Sequence, residues 1–303
     1  MGLITHMNFL NRLELSYNMN DLIEEFEYDL DRFEPAIIDY IRNEDGEIKA
    51  LPAGRPMYAL HYNKDVFDTI GVDYPKDDMT WEEVVELAEQ LTQERDGTQY
   101  RGLDLDVPYD AYTQFSQNSV DPDTNEVLIQ ESEAYRRYLE MIQNVTSIPG
   151  NYPDDDPGGV LHNWGSEFAE RRVAMWTGGA NFGWLADTEM NVDIATYPSW
   201  EGYEGIGPAP NANAYAITAP SEHKDAAFEV LAHLLSDEVQ MEKSKEGMAS
   251  PLATQKYTKP FTRTIRLSQR RTLLLCLRKP RQQDLRNHPD TVTESFGMRR
   301  LSL

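Results

Sequence analysis

An α/β fold is the class that this 303-residue sequence predicts, and three observations predict it. Segments with helical period and segments with strand period alternate along most of the chain. The length is enough to bury two cores. Apolar residues make up 40% and charged residues 26%, proportions ordinary for a globular protein.

Taken in order, Asn20 to Tyr28 opens on a capping residue and places Leu22, Ile23 and Phe26 on one face, so it reads as a short helix. Glu34 to Ile41 reads as another. Asn43-Glu-Asp-Gly46 is a hairpin turn signal that leads into Glu47 to Leu51 and the strand Met57 to Tyr62. Asn63 caps a helix through Val66, Phe67 and Ile70, and Gly71 ends it. Thr80-Trp-Glu-Glu83 has the spacing of a capping box, in which each end residue satisfies the other's free backbone donor. The helix it starts should bury Val84, Leu87, Ala88 and Leu91.

Tyr100 to Leu105 reads as a strand, and Glu133 to Val145 as a helix with Tyr135, Tyr138, Leu139 and Ile142 on one face. Phe168 to Met175 runs from helix into strand and breaks at Gly178-Gly179. Val192 to Tyr197 is a strand ending at Pro198, and Ala214 to Ile217 is another after a Gly/Pro-rich stretch. A long helix after Ser221 should turn Ala226, Ala227, Val230, Leu231, Leu234 and Leu235 inward.

Charge is unevenly spread. The net charge is −24, yet 12 of the 28 Lys and Arg lie beyond Gln255 with only three of the 52 Asp and Glu. So acidic a body will not seek nucleic-acid phosphates, which require a positive footprint. Its scarcity of lysine and surplus of carboxylates resemble proteins of salt-loving organisms, where concentrated salt screens the self-repulsion. Residues 256–303 abandon that composition at one point, with Arg270, Arg271, Arg278, Lys279, Arg281, Arg299 and Arg300 and no aromatic interleaving. They are read as a basic tail that is frameshifted, non-native or disordered, and not as a nucleic-acid module.

Several chemistries are set aside. Cys276 is the only cysteine, so neither an internal disulfide nor a CxxC site is available. The stretch Asp121-Pro-Asp-Thr-Asn125 starts like a calcium loop but has Glu126 where glycine belongs and Ser132 where the bidentate glutamate belongs. The histidines lack ligand spacing, and no GxSxG, P-loop or GxGxxG occurs. No catalytic residue, metal or cofactor is expected. The start of the chain has no basic region, apolar block or small-residue cleavage site, so no signal peptide is expected in it.

Four stretches carry a resemblance to a known family. Ala59-Leu-His-Tyr-Asn-Lys-Asp-Val-Phe67 resembles its hinge strand and following helix, and Thr80-Trp-Glu-Glu83 resembles a characteristic helix start. Phe168-Ala-Glu-Arg-Arg-Val-Ala-Met-Trp-Thr-Gly178 is similar to an F-x-x-G-x-x-A-M-x-x-x-G stretch, with Arg171 where glycine is usual. Ser221 to Leu231 with Ser236-Asp-Glu-Val-Gln240 resembles a late helix and its S-x-E-x-Q end. Their order over about 200 residues resembles the family 1 extracellular solute-binding proteins, the maltose-binding type of sugar-binding component of ABC importers.

The resemblance implies a two-lobed, type II periplasmic-binding-protein-like fold that closes over a ligand in its cleft, with parts of both ends missing. Residues 59–203 would be the second lobe, and 1–57 with 207–250 the remains of the first. The crossings would fall near Pro56–Tyr58 and Gly207–Asn213. It implies a monomer that captures a carbohydrate-like solute, outside the cell or at its surface, and delivers it to ABC permease subunits. A carbohydrate-active enzyme and a cytoplasmic regulatory protein are the alternatives. Sugar sites combine flat aromatics with a few oriented polar groups. By resemblance, Tyr109 and Tyr112 come from one binding loop, Trp176, Asn181, Phe182 and Trp184 from a second, and Tyr58 from the crossing strand.

Overall fold

The computed structural model describes residues 2–4, 15–43, 45–55, 57–106, 108–121, 124–152, 168, 171–179, 190–209 and 213–253. Local chemistry sets the element ends. The helix α3 (Lys64–Ile70) starts where the Asn63 side chain accepts the Asp65 N–H, and stops at Gly71, whose φ of 84° suits a residue without a side chain. The helix α4 (Trp81–Leu91) begins with the expected capping box: Thr80 N–H donates to Glu83 at 2.8 Å, and Glu83 N–H donates to Thr80 Oγ1 at 3.2 Å. Its buried residues are Trp81, Val84, Val85, Leu87, Ala88 and Leu91, an apolar face at helical spacing.

That face lies on a five-stranded sheet of order β4-β5-β6-β3-β7, made of β3 (Tyr58–Asn63), β4 (Gln93–Arg95), β5 (Thr98–Leu105), β6 (Val173–Gly179) and β7 (Val192–Thr196). β5 and β6 are parallel, whereas β3 runs antiparallel to both β6 and β7. α4 approaches β5 so closely that a Cβ on Gly102 would meet the Ala88 carbonyl oxygen at 2.0 Å. Only glycine allows that contact. The short helix α5 (Tyr109–Thr113) and the long α6 (Glu133–Ser147) complete the cover, and the core beneath draws every buried member from residues 60–200.

A second core gathers Met19, Leu22, Phe33, Ile38, Ile41, Ile48 and Leu51 with Ile217, Phe228, Leu231, Leu235 and Leu252. Helices α1 (Asn20–Glu25), α2 (Pro35–Ile41), α7 (Lys224–Leu234) and α8 (Asp237–Lys245) accompany a three-stranded sheet of order β1-β8-β2. In it β1 (Gly2–Ile4) and β2 (Leu51–Pro52) both pair antiparallel with β8 (Ala214–Ala216).

Three expectations from periodicity need correction. In α6 the buried residues are Ala134, Tyr138, Met141 and Val145, while Leu139 is exposed, because the helix turns its face about one residue from the apolar maximum. In α7 the anchors are Phe228 and Leu231, and Ala226 and Val230 face outward. Phe228 takes the inward place because its ring meets those of Phe26 and Tyr28 at 5.2 and 5.5 Å. α1 ends at Glu25 and not at Tyr28, since Glu27 adopts a φ of 46° that breaks the helix. Of the stretch expected to run from helix into strand, β6 begins at Val173, and residues 169–170 lie outside the described residues.

Candidate functional site

Register brings one set of chain ends together. Tyr58 pairs with Gly179, and Ala59 pairs with Thr196, so the start of β3 lies beside the ends of β6 and β7. The end of β5 joins them, because β5 runs parallel to β6 and Leu105 pairs with Thr177. The carboxyl ends of parallel strands leave a crevice where α/β proteins bind ligands. Tyr58, Asp106, Gly178 and Tyr197 all sit at this edge, and α5 follows directly with Tyr109 and Asp110.

The aromatic part of the edge is ordered by ring contacts. Tyr58 meets Tyr197 edge-on, with centroids 5.8 Å apart and planes at 70°. Tyr197 also meets Trp81 at 5.4 Å, which fixes its far side to the start of α4. Tyr109 is half-buried and lies 5.5 Å from Tyr112.

The charged part consists of carboxylates. Asp106 is 3% exposed, and its Oδ2 lies against the backbone of Gly178, where an added Cβ would come within 2.9 Å. Burial, with the neighbouring Asp106 carboxylate, pushes Asp110 up to about 7. Burial likewise raises the Tyr197 hydroxyl, and the Asp110, Tyr58 and Asp106 groups raise it further. Asp106, Asp110, Tyr58 and Tyr197 thus gather where β3, β5, β6 and β7 meet. The edge holds hydroxyls and carboxylates beside flat rings, which suits a solute that offers hydroxyl donors and apolar faces.

The residues expected to bind ligand fall into three groups. Tyr58 and Tyr109 stand at the edge. Tyr112 does not: it is 1% exposed, with its ring among those of Phe115, Tyr135 and Tyr138. It is a core residue, because the helical step from Tyr109 to Tyr112 turns it under α6. Trp176 is also packed inside, at 5% exposure, 4.4 Å from the His61 ring and 6.1 Å from Phe168. Asn181, Phe182 and Trp184 lie outside the described residues, as does the expected tail, residues 256–303.

Asp106, Asp110 and Tyr197 were missed by the sequence reasoning. The two aspartates flank the very loop that yielded Tyr109, but the surplus of carboxylates hid them. Tyr197 stands just before Pro198, and a large aromatic at the end of a strand was the signal available.

His61 is fully buried beside Trp176, and burial pushes its ring down to about 4, so it is neutral near pH 7. A separate depression of about 640 Å³ is lined by Asp29, Asp31, Arg32, Ser236, Asp237, Leu252 and Ala253. None of these belongs to the edge around Tyr58. Among the described residues no group of three or more His, Cys, Asp or Glu side chains is arranged to hold a metal ion. No described helix is long and apolar enough to cross a membrane.

Residues 13–241 match the family of bacterial extracellular solute-binding proteins. Among curated relatives, the arabinooligosaccharide-binding protein of Halalkalibacterium halodurans is 24% identical over 246 residues, 78% of this chain and 53% of that protein. The chain thus spans about half the length of that relative. The sn-glycerol-3-phosphate-binding periplasmic protein of Brucella abortus is 33% identical over 66 residues, 22% of this chain and 15% of that protein. Among solved structures, an ABC substrate-binding protein from Listeria monocytogenes in complex with cycloalternan superposes with a TM-score of 0.72 at 18% identity, covering 91% of this chain and 71% of that one. That likeness establishes the two-lobed, type II binding-protein fold, in agreement with the expectation from sequence.

Proposed function

The chain belongs to the bacterial extracellular solute-binding proteins, and on that premise we propose that it captures a carbohydrate-like solute for the permease of an ABC importer. Members of this family are transport components and not enzymes. The observation that carries the solute class is the contact of the Tyr58 and Tyr197 rings at the edge where β5 and β6 end, which also carries Asp106 and Asp110. Carboxylates accept sugar hydroxyls, and rings cover the apolar faces of pyranose or furanose units.

The same carboxylates favour a neutral solute over a phosphate ester. Buried carboxyl groups repel an anion when ionised, and they exchange hydrogen bonds with hydroxyls in either protonation state. The two kinds of curated relative therefore make opposite predictions. Titration calorimetry with an arabino-oligosaccharide and with sn-glycerol 3-phosphate separates them. Binding of the sugar alone supports the proposal, and tighter binding of the phosphate overturns it.

The lobes would be residues 59–203 on one side and 1–57 with 207–250 on the other, with the crossing stretch up to Ala209 held to the former. The division is supported by the two cores, which share no residue. Solute would favour the closed state, which the permease subunits would then recognise at the outer face of the membrane. The working unit would be a monomer.

A further inference from the structure

The segment that leads from β7 towards β8 is tied to α5 by side chains whose role is not explained by solute contact. Gln114, fully buried, follows directly on α5. Its Nε2 donates to the Pro198 carbonyl at 2.8 Å and to the Ile206 carbonyl at 2.6 Å, so both amide hydrogens are used. Its Oε1 accepts the Trp81 indole N–H at 2.9 Å. One buried amide thus joins α4, α5 and two points of the outgoing segment.

Thr113 adds a second tie. Ala209 N–H donates to Thr113 Oγ1 at 2.8 Å, and the same hydroxyl donates to the Asp110 carbonyl at 2.6 Å. Trp200 Nε1 donates to the Ala111 carbonyl at 2.7 Å, and the Phe115 ring stacks on Trp200 at 4.8 Å and meets Tyr203 at 5.0 Å. From Pro198 to Ala209 the segment is therefore bound to the helix that presents Tyr109 and Asp110. Beyond it, Asn213 adjoins the other sheet, because its carbonyl accepts the Ala53 N–H at 2.7 Å.

Glycine and proline at Gly207, Pro208 and Pro210 make this whole stretch look like a hinge in the sequence. The hydrogen bonds say otherwise up to Ala209. We infer that Gln114 and Thr113 are positioning residues that fasten the outgoing segment, from Pro198 to Ala209, to α5, so that this segment moves as one with the solute-facing helix. Its value for transport rests on the solute-binding reading, but the fastening itself does not.

The test needs no solute. Nitroxide labels at Glu89→Cys and Glu229→Cys, both exposed helical positions, go into a Cys276→Ser background of the full chain. The distance distribution between them is measured by electron–electron resonance, and the Ala209 amide is followed by hydrogen exchange. Thr113→Val removes the acceptor without changing shape, and should broaden the distribution and speed exchange at Ala209 by about tenfold, the effect of losing one hydrogen bond. Thr113→Ser keeps the hydroxyl and should restore both. Gln114→Leu should broaden the distribution further; if it fails to fold, the threonine pair still decides. A Thr113→Val protein that is folded by circular dichroism but unchanged in both readouts overturns the inference. So does a Thr113→Ser protein as loose as Thr113→Val. Failure to bind any sugar in calorimetry would instead remove the functional reading and leave this result standing.

Discussion

Gly178 and Asp106 stand close together where β6 and β5 end: a methyl group on Gly178 would fall 2.9 Å from Asp106 Oδ2, and 2.6 Å from Trp176 Cζ2. The glycine carries no positive φ, so its requirement is space and not backbone freedom. Gly178→Ala should therefore displace the Asp106 carboxylate or the Trp176 ring, at a cost of about 1–3 kcal/mol in urea unfolding. An arabino-oligosaccharide should bind more weakly to the variant. A Gly178→Ala protein with unchanged midpoint and affinity would show that the edge is looser than these distances require.

Asp110 gives a pH signature whose sign is fixed. Its carboxyl is raised from 3.8 to about 7 in the folded chain, so between those values the folded state holds a proton that the unfolded state has released. Stability from this group therefore falls as pH rises through that window, and the penalty persists above it. Asp110→Asn removes the penalty, and should raise stability near pH 8 by on the order of 2 kcal/mol while changing little near pH 4. Urea unfolding at the two pH values reads the difference. An equal effect at both would mean that Asp110 is not held protonated.

The tyrosines of one loop should separate by role. Tyr109→Ala should weaken sugar binding by about 1–3 kcal/mol, the scale of a buried side chain, and leave the fold in place. Tyr112→Ala should lower global stability by about 3–5 kcal/mol, as truncation of a buried ring does. Calorimetry and thermal unfolding of both variants settle the matter. Equal losses of affinity with no loss of stability for Tyr112→Ala would return it to the site.

Thr80→Ala removes one half of a capping box and should cost about 1 kcal/mol. Thr80→Ser keeps the acceptor and should cost much less. Because Trp81 and Gln114 share a hydrogen bond at the start of the same helix, exchange at the Glu83 amide should report the change before any global loss. No change in that amide would show that the cap is redundant.

The parts of the fold legible in the sequence were those set by local chemistry. Asn63, Gly71, Thr80 and Glu83 act through neighbours within four residues, so their roles could be read directly. The inward faces of α6 and α7 were read less well: Phe228 is placed by the distant rings of Phe26 and Tyr28, and Leu139 is exposed although it falls on the apolar period. The candidate edge was legible only in part. Tyr58 and Tyr109 came from the resemblance to a crossing strand and a binding loop, whereas Asp106 and Asp110 gain meaning only once β5 is set parallel to β6. Gln114 could not have been found at all: its three partners lie 33 to 92 positions away.

The division between the two cores also has a consequence for synthesis. Every buried member of the larger core precedes residue 201, so it can assemble as soon as Trp200 has cleared the ribosome. The smaller core joins residues 19–51 to residues 217–252 and cannot close until Leu252 appears. At ordinary elongation rates the gap is roughly 3–10 s. For that interval Met19, Leu22, Phe33 and Ile48 are apolar side chains without their partners, tethered to a neighbour that has already folded. The early segment is thus the part of the nascent chain most in need of a holding chaperone, and slowed translation anywhere between codons 51 and 252 should prolong its exposure and increase its aggregation.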